Sequence, residues 1–241
     1  MKDGLQRCGA AIAALYAELD WSKLGANYCE GDGSSFFDDD LRELTLETGY
    51  RIADEISSAV AGGRTGRSLY FGAAVAELVP ILAEHLVLER DVVWLNLPGD
   101  ELREITRAMH KVRDELGFEL PMPSTHGIES CAQAGFDHLW MVSVLTDPDA
   151  FPALHDELYE RSGGPLATGR GSSGAERARA EALVERFLDC ASSSALVTTT
   201  DEELTLIEPA VQRRGGEWTV PESCIETAIV GDMLRFCRWS R

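Results

Sequence analysis

The residues best placed for chemistry stand at the ends of predicted strands. Gly72 follows the apolar run at 68–71 and precedes an apolar helical stretch. A glycine there lets backbone approach a ligand that a Cβ would block, and it equally makes a tight turn with nothing bound. Ala74 and Ala76 follow in the same turn, and their methyl groups suit close helix-to-sheet packing. Glu77 falls in the first helical turn, where a carboxylate either meets a ligand or complements the helix dipole. Asp147 follows the fourth predicted strand in the run Thr146-Asp147-Pro148-Asp149. That run reads first as a helix cap and second as the seat of a general base. His126, in a loop after the third strand, is either a base or an ordinary exposed histidine. His138 begins a buried strand and reads as structural, and His85, His110 and His155 lie on helices without an evident partner.

Several chemistries are excluded. The chain has no GxSxG, so the nucleophile turn of an α/β-hydrolase is missing. No GxGxxG follows the first strand, which argues against a dinucleotide. The glycines at 61–67 precede a strand and lack the lysine of a phosphate loop, so they read as a linker. Six cysteines are scattered without CxxC or a Cys/His cluster, so no metal site is expected. Asp38, Asp39 and Asp40 read as helix capping, with Asp40 as N-cap and Glu43 completing a capping box.

These residues need a sheet to position them. Strands are predicted at 68–71, 92–97, 118–122, 137–145 and 195–200, with helices at 74–88, 99–116, 149–161, 175–191 and 202–213 between or after them. A short helix covers 128–134, and the loop at 162–174 is rich in glycine and serine. The near-continuous apolar character of 137–145 is that of a central parallel strand. Pro80 either kinks the first of these helices or marks its true first turn. Two further strands, 225–230 and 233–239, are joined by Gly231-Asp232, which suits a type II′ hairpin. Ahead of all this, helices at 4–20 and 41–60 form an N-terminal cap, so the division falls into 1–66 and 67–241.

The 241 residues are 44% hydrophobic, enough for one sizeable core. Formal net charge is -19, from 41 acidic and 22 basic side chains. Such a surface repels phosphate backbones and anionic lipid, so nucleic acid and membrane are not expected partners. Scattered, reduced cysteines and the lack of a signal-type segment point to the cytoplasm. Self-association stays open, with Trp21, Trp218 and Trp239 near element ends and available to a pocket or an interface.

A βαβ series ending in an antiparallel hairpin resembles the class I S-adenosylmethionine-dependent methyltransferases from residue 68 to the C-terminus. The resemblance implies a three-layer, Rossmann-like α/β domain over 67–241, with a mainly parallel sheet. It implies S-adenosylmethionine as cofactor and a small-molecule methyl acceptor. Gly72 keeps the first glycine of the family's turn after strand one, while Ala74 and Ala76 stand where later glycines are usual and Tyr70 where an acid is. Asn96 takes the place of the acid that binds the ribose hydroxyls, with Leu97 beside it, and Glu77 would face the sulfonium end. An asparagine lacks the carboxylate's paired geometry. The alternative is therefore a noncatalytic binding or scaffold protein of the same fold, with a decayed cofactor site.

Overall fold

The computed structural model describes residues 2–29, 33–60, 66–161 and 167–241. The chain opens with three helices, α1 (Lys2–Glu18), α2 (Trp21–Gly25) and α3 (Asp39–Ala59). Alternation follows: β1 (Arg67–Phe71), α4 (Leu78–Leu86), β2 (Asp91–Leu95), α5 (Asp100–Leu116), β3 (Pro123–Ser124) and β4 (Phe136–Met141). Then come α6 (Pro152–Leu158), α7 (Ser173–Leu188), β5 (Ala191–Thr200), α8 (Asp201–Arg214), β6 (Glu217–Thr219), β7 (Ile225–Glu226) and β8 (Met233–Ser240).

The sheet runs β3-β2-β1-β4-β5-β8-β6, with β7 pairing β8. The five strands from β3 to β5 are parallel, and β8 is antiparallel to β5. Apolar residues cover both faces. On one face Tyr70, Trp94 and Trp140 pack against α1, α3, α4 and α5. On the other, Leu69, Leu139 and Val197 pack against α7 and α8. This is the three-layer arrangement expected of buried parallel strands. Strand order reverses between β1 and β4, which opens a crevice at their carboxyl ends.

One polar cluster lies inside the first apolar layer. Glu84 of α4 accepts from Tyr70 Oη at 2.6 Å and faces His138 Nδ1 at 2.7 Å. Its other oxygen accepts from the Ser68 hydroxyl and pairs with Arg90 Nε at 2.7 Å. Arg90 continues to Asp137, and His138 Nε2 to Thr198 Oγ1 at 3.0 Å. Buried charges need such saturation. His138 is thus structural, as its strand position suggests.

Several boundaries differ from the sequence reading, each for a local reason. Asp38, not Asp40, caps α3: its Oδ1 accepts from Leu41 N at 2.8 Å. The predicted helix at 74–88 begins as a single 3-10 turn, Val75–Glu77, and Pro80 lies in the first turn of α4, where its missing N–H is harmless. The third strand is not at 118–122 but at Pro123–Ser124, two residues at the sheet edge, where Pro123 is tolerated. The fourth ends at Met141, two residues before Ser143 turns to φ 57. The helix expected over 149–161 is only Pro152–Leu158, since Asp147 holds 149–150 in a turn. The two-residue hairpin does not form. The last pair is Glu226 with Met233, and the loop between them closes on Thr227, whose hydroxyl accepts from Gly231 N and Asp232 N. The sequence reading missed β6, which shares one edge of β8 with β7; residues 220–224 bulge opposite 235–237. The loop at 162–174 lies partly outside the described residues.

Candidate functional site

The crevice is walled on one side by the turn after β1. Gly72 adopts φ +81, and its N–H donates to Leu95 O at 2.8 Å. The space a Cβ would take there is filled by Val144, from the loop after β4. Ala73 O accepts twice, from Trp94 Nε1 at 2.8 Å and Asn96 Nδ2 at 2.7 Å. Asn96 Oδ1 in turn accepts from Leu97 N at 2.7 Å. The Asn96 amide therefore clasps the ends of β1 and β2 together. Beside it the Leu97 side chain is 71% exposed.

Two carboxyls face the turn. Glu77 Oε2 accepts from Ala74 N at 2.7 Å. Glu101, in the first turn of α5, accepts from Val75 N at 3.3 Å and from Tyr28 Oη at 2.7 Å. Burial pushes Glu77 up to about 7, with the Glu101 charge adding to it against the Ala74 hydrogen bond. Burial likewise raises Glu101, against the pull of Tyr28. The Tyr16 hydroxyl is buried with no hydrogen-bond partner, and burial, Tyr50 and the Glu77 charge all disfavour its ionisation. Tyr28 is held by Phe36, stacked at 5.2 Å, and by Phe37, edge-on at 5.5 Å. Tyr28, from between α2 and α3, thus reaches Glu101 beside the turn. Next to it a cleft of about 440 Å³ opens between Lys23, Asn27, Asp100 and Arg103, but Lys23 is paired with Asp20 and Arg103 with Asp100.

The other wall is built after β4 and β5. Tyr159 Oη donates to Asp232 Oδ2 at 2.7 Å, and Ser143 Oγ to the same oxygen at 3.4 Å. His155 Nε2 faces Arg161 Nη1 at 3.0 Å, so its Nδ1 carries the proton and donates to Thr146 O at 2.6 Å. Arg161 lies over the Tyr159 ring at 4.7 Å. Burial raises Asp232 despite the Tyr159 and Ser143 hydrogen bonds. It also raises Glu202, with Asp232 repelling it. Glu203 rises to about 7 for the same first reason, although Leu145 N and Thr199 Oγ1 both donate to it.

Gly72, Ala74, Glu77, Asn96 and Leu97 are therefore brought together along one edge of the crevice. His126, just past the carboxyl end of β3, is exposed and donates its N–H to Ser124 Oγ at 3.2 Å. Asp147 Oδ1 accepts from Asp149 N at 2.8 Å and Ala150 N at 2.7 Å, which is the capping role. Sequence reasoning missed Tyr159, Glu202 and Asp232. The available signal was acids placed just after strand five and just before the last strand, which read as a helix start and a turn. Among the described residues no cluster suits a metal ion, and no helix is long and apolar enough to cross a membrane.

No family model matches the chain, and no curated protein matches it by sequence. Solved structures do. The magnesium protoporphyrin IX methyltransferase of Synechocystis PCC 6803 with bound SAM aligns at TM-score 0.54 and 12% identity, over 96% of this chain and 97% of that one. The same enzyme with bound SAH aligns at TM-score 0.54 and 12% identity, over 95% and 99%. Sheet order, the antiparallel β8 and the crevice at the β1–β4 reversal agree with that likeness: the chain has the fold of the class I S-adenosylmethionine-dependent methyltransferases.

Proposed function

We propose that the chain binds S-adenosylmethionine in the crevice after β1 and transfers its methyl group to a small molecule. The observation that carries this is the Tyr16 hydroxyl, buried without a hydrogen-bond partner within reach of the Glu77 charge. A buried polar atom left unmet is costly unless something completes it; the cofactor's ammonium can donate to the hydroxyl, and its cationic end as a whole suits the carboxyl. When bound, the cofactor supplies an already activated methyl group. The chain's own residues do the rest. Gly72 and Ala74 shape the turn, Glu77 sets a negative charge against the cationic end, Asn96 fixes the floor, and Leu97 offers an apolar cover to the base. Positioning is the main task in such a displacement. The net charge of -19 disfavours a nucleic-acid acceptor. Asp147, held in a turn by two backbone N–H groups, and the exposed His126 are candidate bases, and the wall that holds Asp232 offers a third.

A second reading has its own support. The N–H groups of Ala74 and Val75 are already taken by Glu77 and Glu101, and the Asn96 amide is spent on Ala73 and Leu97. A noncatalytic protein of this fold would show the same self-satisfied turn.

Calorimetry separates the two. Methyltransferase function requires both S-adenosylmethionine and S-adenosylhomocysteine to bind, and Glu77→Gln to weaken the sulfonium form more than the neutral thioether. No heat from either ligand at about millimolar concentration leaves the noncatalytic reading.

A further inference from the structure

We propose that Thr146, Tyr159, Glu202 and Asp232, at the carboxyl ends of β4 and β5, form a binding site for an amine. That this amine is the group receiving the methyl rests on the methyltransferase reading above; the amine site itself rests on the cluster.

Unmet hydrogen-bonding capacity comes first. Thr146 is only 3% exposed, and its hydroxyl has the Tyr159 oxygen beside it to donate to, while among the described residues no protein group donates to its own lone pairs. Glu202 Oε2 is buried and unpartnered. Glu203, one residue on, shows what a structural carboxylate looks like here: both oxygens are filled, by Leu145 N at 2.7 Å and Thr199 Oγ1 at 3.0 Å. Neighbouring acids of one helical turn have thus been treated differently. One is tied into the fold, and the other is left with an open acceptor.

Charge narrows the ligand. Glu202 and Asp232 repel each other, and Asp232 also acts on Glu203. Among the described residues neither Glu202 nor Asp232 forms an ion pair. Arg161 is close enough to ease Asp232, but its guanidinium is engaged by His155 and by the Tyr159 ring. A carboxylate ligand would add to this repulsion. An alcohol brings one donor. An ammonium brings three donors and the missing positive charge, and charge-assisted hydrogen bonds are the strong ones. Tyr159, already donating to Asp232 at 2.7 Å, presents lone pairs to the same visitor.

The backbone supports a built site. Ser143 holds φ 57, a conformation that non-glycine residues avoid, and its hydroxyl reaches Asp232 Oδ2. Its neighbour Val144 is the residue packed at Gly72. The loop after β4 therefore touches the proposed cofactor turn with one side chain and Asp232 with the next. For transfer the bound ammonium first gives one N–H proton to the Glu202 or Asp232 carboxylate; the freed lone pair then forms the N–C bond as the S–CH3 bond of S-adenosylmethionine breaks, leaving S-adenosylhomocysteine.

The test is titration of the labelled protein by NMR with butylamine, butanol and butyrate, with and without S-adenosylhomocysteine. Butylamine is expected to bind at least about tenfold more tightly than either analogue, with shifts at Thr146, Tyr159, Glu202 and Asp232. Glu202→Gln should abolish most of that preference. Thr146→Val, of similar shape and with its fold checked by the same NMR spectra, should weaken butylamine binding without changing S-adenosylhomocysteine affinity. Butylamine binding no better than butanol, shifts confined to other residues, or a preference untouched by both variants would each overturn the proposal. If wild type prefers butylamine but never binds S-adenosylhomocysteine, the amine site stands and the methyltransferase reading falls.

Discussion

Val144 occupies the position that a side chain on Gly72 would need. Two demands therefore meet at one residue, a left-handed backbone at φ +81 and a void shaped for a valine methyl. The void lies toward β4, so the glycine serves the packing of the two crevice walls as well as the turn.

Gly72→Ala is expected to destabilise the fold by about 2–4 kcal/mol, combining the left-handed penalty with overpacking. Val144→Ala alone should cost about 1 kcal/mol as a partly buried truncation. The double variant should recover the overpacking share and leave only the backbone share, a coupling of about 1–2 kcal/mol. Urea unfolding of the four proteins measures this. Strict additivity would show that the two residues do not interlock.

Asp147 separates capping from catalysis. Its Oδ1 accepts two backbone N–H groups at 2.8 and 2.7 Å, a task asparagine performs equally well. Asp147→Asn should leave both stability and methyl transfer near wild type, while Asp147→Ala should cost about 1 kcal/mol. A loss of turnover in Asp147→Asn with unchanged stability would identify Asp147 as the base.

The fold was legible because burial writes itself into composition. The runs at 68–71 and 137–145 are near-continuously apolar, the pattern of central parallel strands, and Gly117 marks the end of α5 with φ +70. Gly72, Glu77 and Asn96 could be placed on one edge for the same reason, since strand ends follow from strand positions. What escaped was tertiary. Nothing local tells that Asp38 rather than Asp40 caps α3 by accepting from Leu41 N, or that Thr227 closes the last hairpin over six residues. The wall of Tyr159, Glu202 and Asp232 was invisible because its members come from a short helix, a helix start and a turn, each with an adequate local explanation. Only the open acceptors at Glu202 and Thr146 reveal it, and a sequence carries no record of those.

Glu84 should be the most sensitive polar residue of the core. Burial works against its charge, yet His138, Ser68 and Tyr70 together hold it below the usual carboxylate value of 4.5. A lowered carboxyl contributes stability above its unfolded value and loses it as pH falls through the folded one. Glu84→Ala strands Arg90 and His138, so a loss of about 3–5 kcal/mol is expected at neutral pH. The loss should shrink on acidification below 4.5. Denaturation midpoints at neutral and acid pH give the comparison, and an equal loss at both would show that Glu84 is not charged in the fold.

Glu77 has the opposite sign. Its ordinary value is 4.5, and burial raises it to about 7. The folded protein therefore binds the more protons between those two values, and stability falls as pH rises across that window. Glu203, raised to about 7 as well, contributes a parallel slope. The ceiling for each carboxyl is roughly 3 kcal/mol, and Glu77, part of which reaches solvent, should give about 1–2 kcal/mol. Glu77→Gln keeps an oxygen to accept from Ala74 N but cannot ionise. It should match wild type near pH 4.5, where the acid is largely protonated, and exceed it above pH 7 by that amount. Because a cation bound at this wall favours the ionised carboxyl, S-adenosylmethionine should also flatten the wild-type slope while leaving that of Glu77→Gln unchanged. A wild-type pH profile that is already flat across the window, or one that the glutamine leaves intact, would place the titrating charge elsewhere.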